Sequence, residues 1–86
     1  MQGVMVIHDT GEFIRGKRLE AGYTMQEAAE RMGVSMALLS RVEHGMQATG
    51  STFNRMCKLY HIDDKERSVL IDAFINGYRT RKYKKE

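Results

Sequence analysis

Three histidines, one cysteine and one acidic pair are the residues of this chain best suited to chemistry, and none is spaced for it. His8, His44 and His61 do not share a helix face, and with Cys57 as the single cysteine no closed tetrahedral zinc site can be written. No serine or cysteine has a base and an orienting partner within a workable pattern, and no glycine-rich phosphate loop follows a strand. Cys57 belongs to the series Phe53, Met56, Cys57, Tyr60, which follows the i, i+3, i+4, i+7 pattern of a packed helix face, so it reads as core. Asp63-Asp64 sits at a helix start, where carboxylates cap. His44, near a helix C-terminus, complements the helix dipole there or approaches a phosphate. No enzyme activity, cofactor, metal or small-molecule ligand is expected. The remaining chemistry is that of recognition.

Recognition falls to Thr24–Gly45, TMQEAAERMGVSMALLSRVEHG. Thr24 followed by Glu27 is a capping box, which satisfies free backbone N–H groups at a helix start. Ala28, Ala29 and Met32 fall on one face, and Gly33 stands where a helix takes a left-handed stop. Val34 bridges the corner, and Ser35 caps a second helix whose Leu38, Leu39 and Val42 point back toward the first. Two short helices joined by a turn of about three or four residues make a helix-turn-helix, whose second helix enters the major groove of DNA.

The rest of the chain must hold that corner. Its 86 residues suffice for one small domain, and the absence of proline and tryptophan beside seven methionines favours helices. Asp9-x-x-Glu12 opens a first helix, with Phe13, Ile14 and Leu19 on its buried side and Gly22 beyond its end. Gly16 within it costs about 1 kcal/mol relative to alanine, which suggests close approach of another backbone or, preferably, plain tolerance. Ser51 or Thr52 caps a fourth helix, and Asp63-x-x-Glu66 opens a fifth. The expected helices cover about 10–21, 24–32, 35–44, 52–61 and 64–77. The fifth is apolar on more than one face: Leu70, Ala73 and Phe74 can finish the core, while Ile71, Ile75 and Tyr78 remain for a satellite core or, preferably, a homodimer interface, to which Leu70 and Phe74 are also assigned. Val4-Met5-Val6-Ile7 fits either an unstructured arm or a short strand paired across a dimer.

Charge is unevenly spread. Residues 79–86, RTRKYKKE, carry five of the 14 basic residues and one of the 11 acidic ones, so the formal net charge of +3 resides in the tail and the body is nearly neutral. That is not the uniformly basic surface of a non-specific DNA binder, although a basic tail can add salt-dependent phosphate contacts. MQGVMVIHD lacks the pattern of a signal peptide and no run has the length of a membrane span; with a single cysteine, a reducing cytoplasm is expected.

The order Ile14-Arg15-x-x-Arg18, Gly22-Tyr23-Thr24, Ala29-Glu30-x-Met32-Gly33-Val34-Ser35, Leu39-Ser40-Arg41-Val42-Glu43-x-Gly45 and Thr52-Phe53-x-x-Met56 resembles the helix-turn-helix of phage-repressor and Cro-like regulators, the XRE family. The resemblance covers about residues 10–62. It implies a five-helix, all-α, lambda-repressor-like domain that binds palindromic operator DNA as a homodimer, usually to repress, in a bacterial, phage or plasmid setting. It also implies a buried ion pair between Arg18 and Glu43, a hydrophobic seam at Val34, Leu39 and Val42, and base-edge contacts from Ser35, Met36, Ala37, Ser40 and Arg41. Phosphate contacts are implied around Thr24, Met25 and Gln26 and along the following loop, at Gln47, Thr49 and Ser51, with Arg55 beyond it.

Three positions depart from the family pattern. Met25 stands where a glutamine usually braces the recognition helix, and Gln26 lies about 100° further round. The loop lacks the usual proline. Met36 and Ala37 cannot form the bidentate hydrogen bonds by which glutamine, asparagine or arginine identify a base. Either these side chains meet thymine methyl groups while Arg41 reads a guanine, or the apolar helix has turned to a protein partner.

Overall fold

Four of the five helices start where a side chain takes up a free backbone amide. The computed structural model describes residue 7 and residues 9–72. The Asp9 carboxylate accepts the Glu12 N–H at 3.0 Å and opens α1, Thr10–Glu20. The Thr24–Glu27 box, bonded in both directions at 3.1 and 2.9 Å, opens α2, Met25–Met32, and Gly33 ends it at φ 71°. Ser35 Oγ accepts the Leu38 N–H at 3.0 Å to open α3, Met36–Glu43. α4 spans Gly50–Leu59. A second reciprocal box, between Asp63 and Glu66 at 2.8 and 3.2 Å, opens α5, which is helical from 64 through 72, the last described position. The fold is five-helix and all-α, with no strand among the described residues. The run 4–6, the tail 79–86 and the interface positions Phe74, Ile75 and Tyr78 lie outside the described residues; Ile7 is half-buried against the core.

The helices are held by one shared core. Ile14 of α1, Ala28 and Met32 of α2, Leu39 and Val42 of α3, Met56 of α4 and Leu70 of α5 are each at most 2% exposed. Full burial of a side chain the size of leucine contributes about 1.5–3 kcal/mol, so this cluster dominates the stability. Cys57 lies in the same core, and burial raises its thiol pKa, as suits an inert packed cysteine. Polar ties brace the helix ends: Lys17 Nζ donates to Glu66 Oε2 at 3.0 Å between α1 and α5, and Arg67 Nη2 donates to Asn54 Oδ1 at 2.7 Å between α5 and α4.

Three sequence expectations change. Leu19 is 54% exposed, because Arg18, one position and about 100° away, takes the inward place on α1. Gly16 is tolerated, as preferred, since a Cβ there would meet nothing within 4 Å; the close backbone approach on α1 lies at Gly11, whose Cβ would run into the Glu43 carbonyl. α4 begins two residues earlier than expected, because the extended Thr49 presents its carbonyl to the Phe53 N–H at 2.8 Å, which places Ser51 inside the helix. Leu70, expected at a dimer interface, is fully buried within its own chain; Ile71, 41% exposed, remains open to a partner.

Candidate nucleic-acid interface

α3 is fixed at both ends and bare on its outer side. At its C-terminal end Glu43 is buried beneath α1, where Arg18 grips it with Nε on Oε2 at 2.7 Å and Nη2 on Oε1 at 3.2 Å. The third guanidinium nitrogen, Nη1, donates to the Tyr23 carbonyl at 2.9 Å, so one side chain ties α1 to both α3 and the approach to α2. Hydrogen bonding to Glu43 raises the Arg18 pKa against the opposing effect of burial, so the guanidinium keeps its charge. Gly11 allows the first turn of α1 to lie directly on the Glu43 carbonyl and the Gly45 amide. At the N-terminal end Gly33 and Val34 turn the corner, the Val34 N–H reaching the Ala29 carbonyl at 3.0 Å.

Around α3, Leu39, Val42 and Glu43 face inward. At about 100° per residue, Ala37, Arg41 and His44 lie on the opposite side, and Met36 stands at the exposed tip. Met36 is 49% exposed and Ser40 is half-buried. The Ser35 hydroxyl serves as the helix cap, and His44 Nδ1 lies 2.8 Å from the Ser40 carbonyl, folded back on its own helix. Arg41 is exposed, with no ion pair or side-chain hydrogen bond among the described residues. The expected base-contacting set therefore occupies the tip and outer side of one helix.

The expected phosphate-contacting residues divide. Thr24 and Gln26 are exposed at the start of α2, and Thr24 is engaged in its capping box. Met25 is half-buried against the core, which leaves its first-turn amide rather than its side chain facing outward. Gln47 is exposed in the loop, Ser51 in the first turn of α4; Thr49 donates its hydroxyl to Thr52 Oγ1 at 3.2 Å. Arg55 is exposed, and its Nη1 donates to the Met32 carbonyl at 2.8 Å, placing a cation at the C-terminus of α2 and bracing the corner. Gly11 and the bracing role of Arg55 escape sequence reasoning, since each depends on a contact with a distant segment.

Tyr60 packs beside this framework, its ring 6.5 Å from that of Tyr23. Its buried hydroxyl has no hydrogen-bond partner among the described residues, and burial, followed by the nearby Glu43 carboxylate, pushes its pKa well above the usual phenol value. Among the described residues no group of three metal-ligating side chains gathers, and no helix is long and apolar enough to cross a membrane.

A family model described as a helix-turn-helix domain matches residues 9–70. No curated protein and no solved structure matches the chain. The match begins at the Asp9 cap and ends at the buried Leu70, so it takes in the core, both helices of the corner and the clamp that fixes α3. With the corner built from α2, Gly33, Val34 and α3, and the family model covering the whole of the described core, the chain belongs to the helix-turn-helix domain family.

Proposed function

We propose that this protein is a sequence-specific DNA-binding transcriptional regulator, a small dimeric repressor of the Cro-like kind that acts at a palindromic operator. The observation that carries this reading is the clamped α3 with its unoccupied outer side: a rigid helix whose inward face is fully used and whose exposed face holds Met36, Ala37 and Arg41. In the major groove Ser35, Met36, Ala37, Ser40 and Arg41 meet base edges, and Arg41 is the one long donor among them, suited to a guanine. The first-turn amides of Met25 and Gln26, with Thr24, Gln47, Thr49 and Ser51, meet phosphates and set the register. Two copies joined through α5, with Ile71 at the contact, present their α3 helices about 34 Å apart, one turn of DNA.

Selection from a pool of random duplexes tests this. The proposal expects enrichment of an inverted repeat and two chains per duplex by sedimentation. A single unrepeated site would remove the dimer. Failure to enrich any duplex would favour the second reading, in which the exposed Met36 and the half-buried Leu38 bind an apolar groove of a protein partner.

A further inference from the structure

We propose that the tip of α3 recognises the 5-methyl group of thymine, with Met36 and Ala37 forming an apolar seat for it in each half-site. This deepens the DNA-binding reading and rests on it. The inference starts from what the tip lacks. The first two residues of α3 project no hydrogen-bonding atom, and both are exposed. Of the neighbouring polar side chains, Ser35 Oγ accepts from the Leu38 amide, and the half-buried Ser40 lies about one turn further along the helix. Arg41, the first long donor, lies more than one turn further along the helix. A base edge meeting this tip is therefore offered carbon and sulfur. In the major groove the feature of an unmodified base pair that an apolar group distinguishes is the C5 methyl of thymine.

The setting makes this contact selective. A single exposed methionine on a surface needs no explanation. Here the methionine stands at the capped start of a helix whose far end is locked by the Arg18–Glu43 pair, so its backbone is held when DNA arrives. Its unbranched, polarizable side chain fits a methyl group without demanding one rotamer. Burying one methyl group corresponds to about a fourfold gain in affinity, and two half-sites give about fifteenfold.

The test replaces thymine by uracil, one position at a time, in the duplex enriched from the random pool; this removes the methyl and leaves every hydrogen-bonding atom in place. The expected result is about a fourfold loss at one thymine per half-site, and a thymine-to-uracil ratio near one for the Met36→Gln/Ala37→Ser double variant. Both substituted side chains are exposed, so the fold is retained; circular dichroism checks this. Equal binding of thymine and uracil duplexes at every position overturns the inference while leaving the DNA-binding reading intact. A ratio that persists in the double variant overturns the assignment to Met36 and Ala37. If no duplex is enriched, both readings fall together.

Discussion

Replacing Glu43 by alanine should cost far more than an exposed glutamate would. Arg18 is 6% exposed and uses two of its nitrogens on the Glu43 carboxylate, at 2.7 and 3.2 Å, and the third on the Tyr23 carbonyl at 2.9 Å. Guanidinium does not neutralise itself, so in Glu43→Ala the cation either stays buried with one neutral acceptor or pulls out to water and opens the α1–α3 contact. Breaking one side of a buried pair costs about 3–5 kcal/mol. A small domain has only about 5–15 kcal/mol in all, so the variant should sit close to its folding limit. Urea unfolding followed by far-UV circular dichroism measures this, provided the m-value is unchanged. The Arg18→Met/Glu43→Leu double variant should regain most or all of the loss, since removing both charges also removes both desolvation costs. A Glu43→Ala midpoint within about 0.5 kcal/mol of wild type, or a double variant as unstable as the single one, would refute the unpaired charge as the cause.

Three further outcomes follow from the packing. Gly11→Ala should destabilise by about 3 kcal/mol, as its Cβ meets the Glu43 carbonyl, while Gly16→Ala, facing open space, should stabilise by about 0.5–1 kcal/mol; paired urea titrations read both. Tyr60→Phe should cost nothing at neutral pH, whereas losing a partnered hydroxyl would cost about 1 kcal/mol. Because burial raises the folded-state pKa of Tyr60, its contribution is complete below the unfolded phenol pKa of about 10 and is lost as pH rises above it; a stability–pH series should show a steeper alkaline fall in wild type than in Tyr60→Phe. Ile71→Glu should give a folded monomer by sedimentation and circular dichroism, whereas Leu70→Glu should not fold; an unchanged Ile71→Glu dimer would place the interface elsewhere.

The parts of the fold legible in the sequence are those whose partners lie three residues apart. Thr24 with Glu27, Ser35 with the Leu38 amide, Asp63 with Glu66 and the left-handed Gly33 each depend on local geometry, and residue type reports it directly. What depends on contacts between segments is not legible from local pattern, and the Arg18–Glu43 pair is reached only through the family resemblance. Nothing local distinguishes Gly11, which lies on a distant carbonyl, from Gly16, which lies on nothing. Hydropathy placed Leu19 inward, but the charged Arg18 takes that place because Glu43, 25 residues away, awaits it. The bond from Arg55 to the Met32 carbonyl, 23 residues earlier, likewise has no local signal. At the candidate interface the chemical character of Met36, Ala37 and Arg41 is evident in their order, while the seating of Gly11 on the Glu43 carbonyl emerges only from the fold.

The most direct test of α3 as a DNA-reading helix is a binding titration of the selected duplex against a scrambled one, repeated across salt concentrations. The account expects a preference of about 10³-fold or more that persists at physiological salt. Binding that ignores sequence and vanishes as salt rises would contradict it, leaving only charge attraction between phosphates and basic side chains.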